Sequence, residues 1–316
     1  MRISTNQYFN KNTSQMTDNQ ARLSKLQGQL ATGNRIEKPS DDPLAMATAL
    51  GAKSGINRLE AYQSNLSYLT NQLSQMEEVF NASSEVMAGI QESMTAAGNP
   101  ILSNADRSVI VQELHGRLDE LRGIANRTGP NGDYLMSGTN SATEPFPAGG
   151  TEDFLSLTPA AGAAVKGRSI DVANGRQMDL NITGFQAYVN PTTNESVFKT
   201  LDDAINLLAD PGYPNTVVNP PQTLGEEFRA KGSELDQIFD QIQLSRTKVG
   251  VRLREAETIT QINASAMNEL ERVAGDAAGL DYAKAISELS QGQLQLQATQ
   301  QSFASVSKLS LFNYLG

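Results

Sequence analysis

Proline sets the plan of this 316-residue chain. Of its twelve prolines, nine fall between Pro130 and Pro221, and none falls in 44–99 or 222–316. A proline inside a helix costs about 3 kcal/mol. The two proline-free stretches can therefore run as long helices, and the middle cannot.

Apolar periodicity fills those stretches. Ala52, Leu59, Leu66, Leu73, Phe80, Met87 and Met94 recur every seven residues, more steps than a coiled-coil assignment needs. Gln63, Thr70, Glu77, Ser84 and Gln91 read as the partner seam, with Tyr62, Leu69, Met76 and Ile90 widening the stripe. At ~1.5 Å per residue, residues 44–98 make a rod of about 80 Å. Asp42 reads as its N-cap and Pro43 as its first residue, where a missing N–H costs nothing. A third helix is expected from near Ser103, with Ile110, Leu114, Leu118, Leu121 and Ala125 on one face. Over 222–274, Phe228, Leu235, Ile242, Val249, Ala256 and Leu270 share a seam with Asn263 as its polar exception, and Phe239, Leu253 and Met267 supply part of the other.

Residues 133–220 change character. Ser169–Val172 and Met178–Ile182 alternate apolar and polar around Asn174-Gly175, a hairpin signal. Val197 to Ala209 reads as a short helix and Pro211 to Pro221 as a loop.

The two ends are helical but thinly apolar. Phe9, Met16, Leu23 and Leu30 recur by sevens, with Asn12, Asn19 and Leu26 between them. Tyr282, Leu289, Leu296 and Phe303 do the same, beside Ile286, Gln293, Gln300 and Ser307, and the apolar tail adds Leu311 and Leu315. Half-polar seams weaken pairing while fixing register and oligomer state. Residues 1–50 carry net +2 and 280–316 net 0, against −10 for the whole chain, so the ends are free to associate. Phe9, Met16, Leu23, Leu30, Tyr282, Leu289, Leu296, Phe303, Leu311 and Leu315 are the candidate assembly interface. The expected fold is mainly α, a long antiparallel helical rod built from both chain ends with a small β-rich insert domain. Residues 1–43 and 280–316 would form an inner assembly core, 44–139 and 222–279 the rod, and 140–221 the outer domain.

Chemistry is scarce. The chain has no cysteine and one histidine, His115, so disulfides and thiolate metal sites are excluded. His115 lacks a second histidine to work with and reads as an ordinary helix residue. Asp41-Asp42 suits helix capping better than cation binding. Gly149-Gly150 has no strand-to-helix setting for phosphate. Neither a catalytic residue nor a cofactor or metal site is expected. Net negative charge argues against nucleic acid as partner. No apolar run reaches the roughly 18–20 residues of a membrane span, and the amino terminus lacks the apolar region of a cleaved signal peptide.

Several motifs stand in order along this plan. Leu30 to Pro43 reads Leu-Ala-Thr-Gly-Asn-Arg-Ile-Glu-Lys-Pro-Ser-Asp-Asp-Pro; Asn131 to Thr139 precedes Pro145-Phe146; Asp281-Tyr282-Ala283-Lys284-Ala285-Ile286 precedes Leu296-Gln297-Ala298; and Ser310 to Leu315 closes the chain. Together they resemble the bacterial flagellin family, and within it the hook-associated branch, type 3, more than the filament branch. Pro39 to Pro43 and the Tyr314-Leu315-Gly316 ending carry that preference. The resemblance covers about 1–145 and 222–316 well and 146–221 loosely.

It implies a structural protein of the extracellular bacterial flagellum, joining hook to filament through its terminal helices. Implied partners are copies of itself in a ring or helical layer, the first hook-associated protein, flagellin, a cytoplasmic export chaperone and the flagellar export apparatus. It further implies secretion without a cleaved signal peptide and terminal segments that order only on assembly. The alternative is a flagellin-type filament subunit. A ligand-binding or adhesive module at 146–221 is a third reading, but no residues there converge on a site.

Overall fold

Seam spacing decides how the long helices meet. The computed structural model describes residues 2–99, 101–147, 167–219 and 222–315, without the side chains of 2–6, 8, 9, 218, 219 and 306–315. Its elements are α1 (Arg2–Thr32), α2 (Pro43–Ala97), α3 (Asn104–Ala125), β1 (Ser169–Ala173), β2 (Arg176–Asp179), α4 (Gly184–Tyr188), α5 (Val197–Ala209), β3 (Val217–Asn219), β4 (Gln222–Thr223), α6 (Leu224–Ala278) and α7 (Tyr282–Leu315). The chain is mainly helical, with long antiparallel helices from both ends and a small sheet region between them. It divides into two compact units, Met1–Glu60 with Ala264–Gly316, and Ala61–Asn263.

In the unit 61–263, α2 and α6 run antiparallel. Gln91 Nε2 donates to Asp236 Oδ1 at 2.7 Å, and Gln63 lines a groove with Leu253 at the other end of the pair. On α2 two buried seams run as Leu66, Leu73, Phe80, Met87 and Met94, and as Leu69, Met76, Ser83, Ile90 and Ala97, with Val79, Ser84, Val86 and Ser93 buried beside them. The expected partner seam is therefore displaced by one residue. Gln63, Thr70, Glu77 and Gln91 sit half-buried at the flank, because polar side chains at the edge keep contact with water while Leu69, Met76 and Ile90 take the centre. The same shift occurs on α6. Leu235, Ile242, Val249, Ala256 and Asn263 are buried, and their companions are Ile238, Ser245 and Ile259. Phe239 and Leu253 are only partly covered.

α3 runs antiparallel along α2. Ser93 Oγ donates to Glu113 Oε1 at 2.9 Å, and Arg127 pairs with Glu78 at 3.5 Å. Its N-terminus is closed by a reciprocal box, the Asp106 amide on Ser103 Oγ at 3.2 Å and the Ser103 amide on Asp106 Oδ2 at 3.3 Å.

The insert docks through polar hooks on this scaffold. β1 and β2 form the expected antiparallel hairpin, with Gly175 at φ +71° in the turn and a bulge after Asp171. Asn263 Nδ2 donates to the Val172 carbonyl at 3.1 Å, and Asn65 Nδ2 to that of Asp171 at 2.8 Å. Tyr188 is fully buried, 2.5 Å from Ser83 Oγ and edge-on to Phe146 at 5.6 Å. Burial pushes its phenol above the usual value although the Ser83 bond opposes. α5 matches its expected span and lies against α3, with the Arg122 guanidinium over the Phe198 ring at 5.7 Å. Two features differ from expectation. The stretch read as a loop contains β3, which pairs with β4 just past Pro221, where helix was expected, and Thr183, capped reciprocally with Gln186, starts the one-turn helix α4. Both are too short for periodicity to reveal.

An ion cluster ties α5 to α6. Lys231 Nζ meets Glu195 at 2.7 Å and Glu234 at 3.1 Å, and Lys199 bridges Glu195 and Asp203 at 3.2 and 2.8 Å. The Lys231 hydrogen bond holds the Glu195 carboxyl below its ordinary 4.5, against the effect of burial. A lowered folded value means the contribution is complete above about pH 4.5 and is lost as pH falls through the folded value. Urea unfolding of the native chain is expected to show stability dropping in that acid window. Lys231→Met should be less stable at pH 7 and show a visibly shallower acid drop.

Candidate assembly interface

Small residues let the terminal helices meet. α1 and α7 run antiparallel within the unit 1–60 with 264–316. Leu23 lies against Gly292, where an added Cβ would stand 2.8 Å from Leu23 Cδ2. Arg22 reaches Glu288 at 3.5 Å. Leu23 and Leu26 are buried, while Met16, Leu30, Asn12 and Asn19 are half-covered. On α7, Ala285 is buried and Leu289, Gly292, Leu296, Thr299 and Phe303 are half-covered. The companion seam is thus Ala285, Gly292 and Thr299. Ile286, Gln293 and Gln300, expected in that role, are exposed. The reason is steric, since close helix approach takes small side chains. Tyr282 is 51% exposed, Ile286 53% and Leu294 67%. The side chains of Phe9, Leu311, Leu315 and Ser307 lie outside the described residues.

The turns joining these helices to the long ones are fastened to each other. Gly33 ends α1 at φ +72°, the left-handed conformation that favours glycine. Its carbonyl accepts the Leu280 amide at 3.0 Å, and the Arg35 amide donates to Ala278 O at 2.7 Å. The Arg35 guanidinium adds bonds to the Ala277 carbonyl at 3.0 Å and to Asp42 at 3.3 Å. Gln29 Nε2 donates to Arg35 O at 2.5 Å. Asp41 accepts Lys25 Nζ at 2.7 Å and the amides of Glu37 and Lys38, each at 3.2 Å. Those bonds, Lys25 first, hold its carboxyl below the usual range. Asp42 Oδ1 accepts the Ala45 amide at 3.1 Å where α2 begins at Pro43. The Ala45 bond and then Arg35 lower its pKa too. Asp281 caps α7 through the Lys284 amide at 3.0 Å. The paired aspartates are therefore occupied as turn and helix-cap acceptors. Arg35, Gln29 and Lys25 fasten this turn and were not singled out by spacing alone, although Arg35 stands inside the amino-terminal motif.

No group of three or more histidine, aspartate or glutamate side chains is placed to hold a metal ion among the described residues. His115 Nδ1 lies 2.9 Å from the Val111 carbonyl on the same helix. No described helix is long and apolar enough to cross a membrane.

Comparison with known proteins decides what this arrangement belongs to. Residues 3–141 match the bacterial flagellin N-terminal helical region. Over 99% of both chains, this one is 27% identical to flagellar hook-associated protein 3 of Salmonella typhimurium. It is 26% identical to that of Escherichia coli, again over 99% of each. The chain is similar to hook-associated protein 3 over its length and carries a flagellin-type amino-terminal helical region. Solved structures support the same fold. A flagellar hook-associated protein from Vibrio parahaemolyticus is 23% identical, with 76% of this chain and 100% of that one covered at a TM-score of 0.62. Hook-associated protein 3 from Legionella pneumophila is 16% identical, covering 71% and 97% at 0.58. These relatives are flagellar structural proteins, and the fastened turn at Gly33 to Asp42 lies within the matched residues 3–141.

Gly33→Val tests the fastening. The positive φ costs a branched residue about 1–2 kcal/mol, and the Tyr282 hydroxyl stands 2.7 Å from where its Cβ would lie. The Leu280 amide is expected to exchange roughly tenfold faster with solvent deuterium, with core amides of 61–263 unchanged.

Proposed function

We propose that this chain is a structural subunit joining the flagellar hook to the filament, assembling through α1 and α7. The carrying observation is likeness to hook-associated protein 3 over 99% of both chains. The helix pair supports the assembly mode. Each seam is covered from one side, and Tyr282, Ile286 and Leu294 remain exposed. Such a pair buries too little apolar surface to offset its own ordering cost, and further copies would supply the rest. The candidate residues are Met16, Leu23, Leu30, Leu289, Leu296 and Phe303, with Phe9, Tyr282, Leu311 and Leu315. In this reading residues 1–43 and 280–316 are the assembly core, 44–139 and 222–279 the rod domain, and 140–221 the outer domain. The neighbours are the first hook-associated protein and flagellin. The chain travels unfolded through the flagellar export apparatus, guarded by a chaperone, and acts outside the cell without catalysis.

A Bacillus subtilis flagellin, 24% identical over 95% of this chain, favours the second reading of a filament subunit. Gene deletion separates the two. A junction subunit predicts cells that keep hooks, lack filaments and shed flagellin into the medium. Normal filaments would sink the junction role, and missing filaments with no shed flagellin would point to the filament role.

The interface has its own test. Leu296→Glu and Phe303→Glu should each abolish attachment to the flagellum while leaving the urea unfolding of the purified chain unchanged. Attachment at normal levels would remove α7 from the interface.

A further inference from the structure

We propose that Asn174 is a site of spontaneous covalent modification, deamidation of its side chain by the backbone amide of Gly175, and that the fold directs this reaction to the insert hairpin. The chain holds two Asn-Gly pairs, Asn131-Gly132 and Asn174-Gly175. A glycine after asparagine leaves the attacking nitrogen unshielded, because no β-carbon stands beside it and the backbone turns easily. By sequence the two pairs are equal candidates. Both are exposed, and both glycines have positive φ, +80° at Gly132 and +71° at Gly175. Hydrogen bonding separates them. The Gly132 amide donates to the Gly129 carbonyl at 3.0 Å, in a loop further tied by the Gly129 amide on Asp133 O at 2.8 Å and the Leu135 amide on Arg127 O at 3.1 Å. That bond must break before the Gly132 nitrogen can lose its proton and turn onto Asn131. Gly175 sits in the two-residue turn between the paired Ala173 and Arg176. Its amide has no acceptor among the described residues, and the Asn174 side chain has no partner there either.

The chemistry needs only water. The Gly175 nitrogen gives its proton to hydroxide and attacks Asn174 Cγ. A C–N bond forms, the Cγ–Nδ2 bond breaks, and Nδ2 takes a proton from water and leaves as ammonia. Water then opens the five-membered succinimide at either carbonyl, giving aspartate or isoaspartate. The net change is ammonia lost, water gained and one negative charge added. In isoaspartate the main chain runs through the old side chain, so the turn gains one methylene. Such a turn no longer fits the Ala173–Arg176 pairing. The new carboxylate also competes with Glu255 of α6 for Arg176, its ion-pair partner. The hairpin tip therefore loosens with age. Its base stays held where Asn65 and Asn263 donate to the carbonyls of Asp171 and Val172. All these residues lie in 61–263, so the site stands apart from the terminal-helix reading.

Full-length chain is aged in mildly alkaline buffer, digested with trypsin and followed by mass spectrometry against an unaged aliquot. The peptide Ser169–Arg176 contains Asn174 as its sole side-chain amide. It should convert first, to two products of equal mass, one of which accepts a methyl group from isoaspartyl methyltransferase. Asn131 should convert about two- to tenfold more slowly, the factor set by one hydrogen bond. In urea the two rates should converge. Asn174→Gln has to close a six-membered ring, and its peptide should stay unconverted. Amide exchange at 173–177 should quicken in the converted chain, with the core amides of α2 unchanged. An unconverted Asn174, an Asn131 that reacts as fast in the folded chain, or a preference for Asn174 that survives in urea would each overturn the proposal.

Discussion

The seam between α2 and α6 in the unit 61–263 is the constraint from which the rest of that unit follows. Leu66, Leu73, Phe80 and Met87 face Leu235, Ile242, Val249 and Ala256 across an antiparallel pair, all buried. Once that register is set, the few polar seam residues acquire fixed positions. Ser83 stands under Tyr188, and Asn263 stands where it can hold the carbonyl of Val172. A buried polar group without a partner is costly, so these residues select which part of the insert sits over them. Interruptions of the heptad pattern thereby become addresses for the β-hairpin and α4.

The terminal pair obeys different rules. Its closest approach runs through glycine and alanine on α7, with leucine on α1, and its flanks are amide and hydroxyl side chains. Packing of that kind fixes orientation with little apolar area. The unit 61–263 has a continuous buried core, whereas the α1–α7 seam is only half-covered and α7 leaves Tyr282, Ile286 and Leu294 exposed.

Much of this was legible beforehand. Proline spacing delimited the long helices to within a few residues, because proline is excluded from helix interiors and tolerated at the first position, as at Pro43. The cap at Asp42 was readable for the same local reason. Companion seams were misplaced by one residue on α2, α6 and α7. A heptad alternates steps of three and four, and the choice depends on which neighbour arrives. Leu69 rather than Thr70, and Ala285 rather than Ile286, are decided by the opposing helix. The ion cluster around Lys231 and the bonds from Arg35 to 277–278 were not legible, since they join positions distant along the chain and spacing carries no sign of them.

Those last bonds bear on how the chain can be completed. Arg35 and Ala277 are separated by 242 positions. A polypeptide delivered from its amino terminus offers Gly33 and Arg35 early, but their acceptors and donors arrive only when nearly everything else has emerged. Closing so long a loop is entropically slow, whereas α2 and α3 can zip together from neighbouring residues. The fastened turn is therefore a late lock. It can form only on a chain whose far end has been delivered, so a truncated or stalled molecule presents an amino-terminal helix with nothing to clasp.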